Sequence, residues 1–368
     1  MSKGVKIGII TLHHAHNYGA VLQSYALMMF LRNNNCDAKI INYKNAFIKD
    51  VNENITPFCL QKGARKIIKS MLCYNIRINK YRIFDDFIKN ELILNADTIC
   101  NSSQIKGGYD LFITGSDQIW NSNCTKFDKT YFLDFVKEKR KKYSYAASFG
   151  FDEIPGEYIK EYKALLLDFD KISVRESQGA IIIKNLTGID VPVVLDPTFL
   201  LTSMQWKKLA RKASYTKKYI FMYLVNETPY IIEFAKKLSM EKGIEILFLS
   251  DSIFKQSGIT YIRSVHPYEW LCLLKNAEYV VTNSFHGIAF SIIFQKELFI
   301  GFPPPSSKVI SRLWNIINIF DLQARLISVE NIDKIDNLLD YAKINEILEK
   351  ERAKSIEYLK CIAQGRSE

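Results

Sequence analysis

Glycine and proline are scarce, 16 and 9 in 368 residues, and no stretch is low in complexity. Collagen-like and Gly/Pro-rich disordered chains are therefore excluded. No apolar run approaches the roughly 18 residues that span a bilayer. No segment recurs at a fixed period, which excludes solenoids and propellers. The Gly-x-Gly-x-x-Gly fingerprint of dinucleotide sites is missing. The seven cysteines (Cys36, Cys59, Cys73, Cys100, Cys124, Cys272, Cys361) are odd in number, scattered and without a C-x-x-C pair. Neither a disulfide framework nor a zinc site is expected from them. The N-terminus is not expected to be a secretory leader. Lys3 and Lys6 flank only a short apolar run from Ile7 to Leu12, and His13, His14 and His16 follow at once. That reads as a strand and its loop, and the expected location is cytoplasmic.

What is present describes a globular protein. Hydrophobic residues make up 48% and charged residues 24%, enough for a sizeable core, and the length accommodates two domains. The net charge of +11 favours phosphates, nucleic acid or anionic membrane as partners. Part of that charge lies between Gln61 and Asn90. There Lys62, Arg65, Lys66, Lys69, Arg77, Lys80, Arg82 and Lys89 mingle with Ile67, Ile68, Met71, Leu72, Ile76 and Phe84. Two readings stand, a surface helix with solvated charges and a basic helix on the inner face of a membrane. The run from Lys137 to Lys142 reads as a loop before a strand. No nucleic-acid-binding motif accompanies the charge, so nucleic acid is not an expected partner.

Short β-rich runs alternate with helical patterns, which predicts an α/β protein with parallel sheets. Strands are expected over 5–12, 38–43, 110–115, 143–148, 171–174 and 191–195, then over 219–225, 244–249, 279–282 and 298–301. Helices are expected over 18–34, 176–184, 229–242, 267–275, 287–294 and 309–317. A hinge follows Asp196-Pro197-Thr198, whose proline ends a strand. The expected organisation is two Rossmann-like domains, 1–200 and 201–330, facing a cleft, with a charged helical segment over 331–368. Ligands in doubly wound sheets bind beyond the carboxyl ends of strands, and four constellations fall there.

The first is Asn17-Tyr18-Gly19, leading through Gln23 into a helix. A helix N-terminus offers free N–H groups and a positive dipole end to an anion or hydroxyl. The plainer reading is a cap by Asn17. The second is Thr114-Gly115-Ser116-Asp117-Gln118-Ile119-Trp120. Asp117 is placed to accept a proton from a hydroxyl, while Ser116, Gln118 and Trp120 are candidate ligand contacts, with a buried Trp120 as the other reading. The third is Ser173-Val174-Arg175-Glu176, where Arg175 suits a carboxylate or phosphate, or else forms an ion pair.

The fourth is Thr282-Asn283-Ser284-Phe285-His286-Gly287. A strand runs into a polar loop, and His-Gly opens a helix. Gly287 would leave room for a phosphate near the helix N-terminus, and the His286 imidazole is a candidate proton donor. Downstream, Ser306, Ser307, Lys308, Ser311 and Arg312 add donors and positive charge. His13, His14 and His16 do not match a zinc pattern, so no metal is expected.

The run NYGAVLQSYAL, then GSDQIW, SYAASFG over Ser144–Gly150, SVRE, DPT and NSFHG, in this order, resembles the polysaccharide pyruvyl transferase family. The resemblance covers Ile7 to roughly Arg325. It implies a fold like that of the GT-B glycosyltransferases, phosphoenolpyruvate as donor and a sugar hydroxyl pair as acceptor. Such enzymes build pyruvate ketals on cell-surface glycans or their lipid-linked precursors, the latter carried on polyprenyl diphosphate. On this reading His286 is the general acid and Asp117 the base. Arg175, Asn283, Ser284, Gly287, Lys308 and Arg312 would bind the donor, and Asn17, Tyr18, Gln23, Ser116, Gln118 and Trp120 the acceptor. No cofactor is implied beyond the co-substrate. Some members carry Arg-Leu-His where this chain has Ser284-Phe285-His286, so the positive charge on the donor must come from Arg175, Arg312 or Lys308. Two other readings remain: a nucleotide-sugar glycosyltransferase of GT-B type, and a glycan- or anion-binding protein without turnover.

Overall fold

A computed structural model describes residues 4–45, 63–94, 96–105, 107–211, 215, 217–303, 310–328 and 338–363, with backbone alone over 63–73. Lys308, Ser306, Ser307 and Lys62 lie outside the described residues, as do the side chains of Arg65, Lys66 and Lys69. Two compact units form. One comprises Met1–Val51, Phe87–Leu201 and Ile347–Glu368, the other Asn52–Asp86 and Thr202–Glu346.

The first unit opens with β1 (Lys6–Ile10), α1 (Tyr18–Asn33) and β2 (Asp37–Ile40). After α2 (Gly63–Phe87), most of which belongs to the second unit, come β3 (Leu111–Thr114), β4 (Lys142–Ser144), α3 (Ile159–Leu167) and α4 (Ser177–Thr187). The strands form a parallel sheet in the order β2-β1-β3-β4, with Ile7 paired to both Ala38 and Leu111. β1 and β3 read as near-continuous apolar runs because both faces of such a sheet are covered. Ile7, Ile9, Ile10 and Ile113 are fully buried.

The ladder continues only as single parallel bridges, Tyr143 with Lys171, Ala147 with Val174, and Val174 with Val193. The strands expected over 143–148 and 171–174 are thus broken, for a local reason. Ser144 Oγ donates to the Ser173 carbonyl at 2.9 Å and accepts from the Ser173 amide at 3.1 Å. Ser173 Oγ donates to the Ser144 carbonyl and accepts from the Ala146 amide. Two hydroxyls replace ladder bonds, and Ala146 takes φ +52°, which no strand residue adopts.

The second unit holds α5 (Ser203–Leu209), β5 (Tyr219–Tyr223), α6 (Pro229–Lys242), β6 (Glu245–Leu249), β7 (Ile259–Ile262), α7 (Pro267–Asn276), β8 (Tyr279–Thr282), α8 (Phe285–Ile293), β9 (Glu297–Ile300) and α9 (Ile310–Ile319). The last helix, α10 (Tyr341–Ala363), starts in this unit and belongs to the first from Ile347. The sheet is parallel in the order β7-β6-β5-β8-β9. Counted within the unit this is 3-2-1-4-5, the order of doubly wound dinucleotide-binding sheets. Its switch point lies between β5 and β8, and that of the first sheet between β1 and β3. β7 was not expected from the sequence. It is a short, half-buried edge strand without clear alternation. Among the described residues no helix is long and apolar enough to cross a membrane.

Candidate active site

In the second unit the β8–α8 junction is built from the strand outward. Thr282 Oγ1 donates to the Tyr223 carbonyl at 2.6 Å and accepts from the Ser284 amide at 3.1 Å. Asn283 Oδ1 accepts from the Val225 amide at 2.8 Å, and its Nδ2 donates to the Asn226 carbonyl at 2.9 Å. Asn283 therefore joins the loops after β5 and β8 across the switch point. Ser284 caps α8, accepting from the Gly287 amide at 3.4 Å. It also hydrogen-bonds the Tyr223 hydroxyl, whose pKa burial pushes up. His286 follows in the first turn, buried, with its ring edge-on to Phe285 at 5.1 Å between centroids.

Gly287 has a packing reason. A Cβ there would lie 2.4 Å from Thr282 Oγ1. The space expected for a ligand phosphate is occupied by Thr282, and the glycine lets α8 start against the end of β8. α9 packs on α8 and carries Arg312, whose side chain is buried.

In the first unit Arg175 is enclosed by carboxylates. Its Nη1 lies 2.9 Å from Asp196 Oδ2, its Nη2 3.7 Å from Asp117 Oδ1 and its Nε 3.6 Å from Glu176 Oε2. Burial opposes the guanidinium charge, but Asp196, Asp117 and Glu176 outweigh it and raise the Arg175 pKa. Asp196 also accepts from Ser116 Oγ at 3.1 Å and from the Thr198 amide and hydroxyl. Ser148 Oγ donates to Glu176 at 2.6 Å. Asp117 differs from the other two acids. Its side chain keeps 16% exposure against 4% for Glu176 and 0% for Asp196, and its backbone sits at φ +68°. A non-glycine residue in that region is uncommon and marks functional turns often enough to single it out.

The remaining sequence candidates are placed differently. Asn17 caps α1 through the Gly19 and Ala20 amides, at 2.9 and 3.3 Å, and Tyr18 is buried behind it. Gln23 is buried inside the unit, its Nε2 donating to Thr11 Oγ1, the Ala20 carbonyl and Ser24 Oγ. Gln118 accepts from Asn121 Nδ2 at 2.7 Å. Trp120 is wholly buried, stacked on Phe132 at 5.5 Å with its indole N–H on the Tyr131 carbonyl. A ring so enclosed has no face to offer a sugar. His13 donates from Nδ1 to the Thr11 carbonyl, and His14 from Nε2 to Asn42 Oδ1. Among the described residues no group of three or more His, Cys, Asp or Glu converges as metal ligands would.

The structure thus assembles Ser116, Asp117 and Arg175 beyond the carboxyl ends of β3 and its neighbours on the β4 side, and Asn283, Ser284, His286 and Gly287 at the switch point of the second sheet. Sequence reasoning underrated Asp196, read there as a strand end. Its signal is the Asp-Pro-Thr capping pattern, in which Asp196 Oδ1 holds the following turn while Oδ2 is left for Arg175.

Among solved structures, the chain is similar to a candidate UDP-N-acetylglucosamine 2-epimerase from Listeria monocytogenes. That likeness has a TM-score of 0.54 at 10% identity and covers 99% of this chain and 98% of that one. The UDP-N-acetylglucosamine 2-epimerase from Rickettsia bellii gives 0.48 at 10% identity, with 96% of each chain covered. That of Methanocaldococcus jannaschii, in complex with UDP-GlcNAc and UDP, gives 0.47 at 14% identity, covering 97% and 99%. At such identities the likeness is one of fold, two Rossmann-like α/β units of GT-B type. No curated protein matches the chain by sequence. The profile of the polysaccharide pyruvyl transferase family matches residues 17–300, a span that includes both groups. The chain belongs to the polysaccharide pyruvyl transferase family.

Proposed function

We propose that the protein transfers pyruvate from phosphoenolpyruvate to two hydroxyls of one sugar in a cell-surface glycan precursor. Two C–O bonds form at C2 of the donor, the C2–O bond to phosphate breaks, and phosphate leaves with the bonding pair. One hydroxyl proton balances the new methyl group at C3 and the other balances the phosphate. No electrons are exchanged with a carrier.

The observation that carries this reading, in a chain of this family, is the position of His286. It stands in the first turn of α8, at the carboxyl end of β8 and beside the switch point, where ligands of doubly wound sheets bind. His286 is assigned the proton that goes to C3, and Asp117, the least buried acid around Arg175, the hydroxyl proton. Arg175 is charge-matched by its own carboxylates, so it is assigned to hold Asp117. The anionic donor is assigned to Arg312, on the helix packed against α8, with Lys308 beside it in sequence. Ser284 supplies a cap and no charge.

Incubation with phosphoenolpyruvate and a panel of synthetic and lipid-linked glycosides tests the proposal. Phosphate release should match a glycoside mass gain of one pyruvate less one water. Phosphate release without a modified glycoside on any acceptor would remove it.

The strand order of the second unit favours one alternative, a nucleotide-sugar glycosyltransferase. A thermal shift with UDP-sugars and none with phosphoenolpyruvate would select it. We further propose a cytoplasmic enzyme resting on the inner membrane face through the basic stretch 61–90, where the acceptor is carried on polyprenyl diphosphate. Co-sedimentation with anionic liposomes that survives charge reversal at Lys66, Lys69 and Arg77 would exclude that contact.

A further inference from the structure

Three of the four tryptophans, Trp120, Trp206 and Trp270, are fully buried, whereas Trp314 is 39% exposed. Trp314 lies on α9, and its ring centroid is 5.0 Å from that of Phe302, the planes inclined by 36°. Phe302 is pinned at its backbone. Its amide donates to the Tyr230 hydroxyl at 2.7 Å, and its carbonyl accepts from that hydroxyl at 3.0 Å. Tyr230 stands at the start of α6, just after β5, so one phenol ties the end of β9 to the helix that follows β5. Gly301 permits the approach, since a Cβ there would lie 2.2 Å from Ile231 Cδ1.

The position of the pair is fixed by the sheet. Thr282 pairs with Ile300, and the Gly301 amide donates to the Thr282 carbonyl at 3.0 Å. Phe302 and His286 therefore leave adjacent strands at the same end of the second sheet. The exposed Trp314 ring, stacked on a half-buried Phe302 whose backbone is held, offers apolar area at little entropic cost, because the rings already pack on one another. Its surface is uncharged, which suits the C–H face of a pyranose and not a charged donor.

We propose that Trp314 and Phe302 form a stacking platform for a pyranose ring of the glycan acceptor. This rests on the reading that the acceptor is a glycan. It moves the stacking role expected of the buried Trp120 to a tryptophan that is 39% exposed.

The whole protein is titrated with methyl β-galactopyranoside, methyl β-mannopyranoside and, separately, UDP, reading acrylamide quenching of tryptophan emission. Saturable protection of the exposed emission by at least one pyranoside is expected, and calorimetric titration should show that pyranoside binding about tenfold more weakly to Trp314→Ala. Phe302→Ala should weaken binding about tenfold, the loss expected of one aromatic contact. Protection by UDP alone, or by neither pyranoside, overturns the platform. In turnover assays Trp314→Ala should raise the acceptor KM about tenfold while the phosphoenolpyruvate KM stays unchanged. Wild-type turnover with an unaltered acceptor KM in that variant sinks the platform alone. Pyranoside protection without turnover on any acceptor sinks pyruvyl transfer alone.

Discussion

Arg175 Nη1 stands 2.9 Å from Asp196 Oδ2, and both side chains are withdrawn from solvent. Asp196 is itself held by Ser116 and Thr198, so the guanidinium is fixed from one side. Asp117 receives its other edge at 3.7 Å.

Removing Arg175 leaves buried carboxylates without their cation. Arg175→Ala should cost about 3–5 kcal/mol of unfolding free energy, read from denaturant midpoints. Arg175→Lys should fall between the two, because an ammonium keeps the charge and loses the fork. A near-wild-type midpoint for Arg175→Ala would show that the cluster does not hold the first unit.

Asp117 is the more exposed acid, and its role is chemical in this account. Asp117→Asn should lower kcat about 10²–10⁴-fold, the range for lost general base catalysis, with a small change in thermal midpoint. A large stability loss with kcat intact would assign Asp117 to the fold instead.

At the β8–α8 junction, Gly287→Ala would place a methyl 2.4 Å from Thr282 Oγ1. Overpacking of this kind costs about 1–3 kcal/mol. Gly287→Ala should cost less in a Thr282→Ala background than in the wild type in thermal melts, since the clashing hydroxyl is already gone and the two changes are then not additive. Equal costs in both backgrounds would place the strain elsewhere.

His13 and His14 give the protein an acid-sensitive edge. Burial lowers the His13 pKa from 6.5 to about 4. Burial, then the neighbouring His13, lowers that of His14 to about 2. Unfolded, both titrate near 6.5. Below that pH the unfolded chain binds more protons than the folded one, so stability falls as pH drops from 6.5 toward 4. Unfolding midpoints between pH 7 and pH 5 should decline, and His13→Gln with His14→Gln should flatten the slope. A slope that the double variant leaves unchanged contradicts the assignment.

The parallel α/β plan was legible because β1, β5 and β8 are apolar runs, each followed by a helix. The breaks at Ser144 and Ser173 were not. Their side chains bond backbone on a neighbouring segment 29 residues away, and strand propensity does not register such partners. Trp120 shows the same limit. Its packing partners Phe132, Phe149 and Phe169 are separated in sequence, so a buried ring and a stacking ring read alike. Asn283 was singled out because polar residues at a strand end draw attention, yet its amide joins two loops. The His286 junction was legible because the strand end, the polar loop and the glycine fall within six residues, Thr282 to Gly287. The reason for its glycine lay in Thr282, five residues earlier and folded back against it.

The most direct test is a single-turnover assay with phosphoenolpyruvate and a glycoside that the wild-type protein accepts, comparing it with His286→Ala. The account predicts ketal product and equimolar phosphate from the wild type, and at least about a hundredfold slower product formation from the variant, with phosphoenolpyruvate still bound. Product formation at the wild-type rate by His286→Ala, or no phosphoenolpyruvate binding by the wild type, would contradict it.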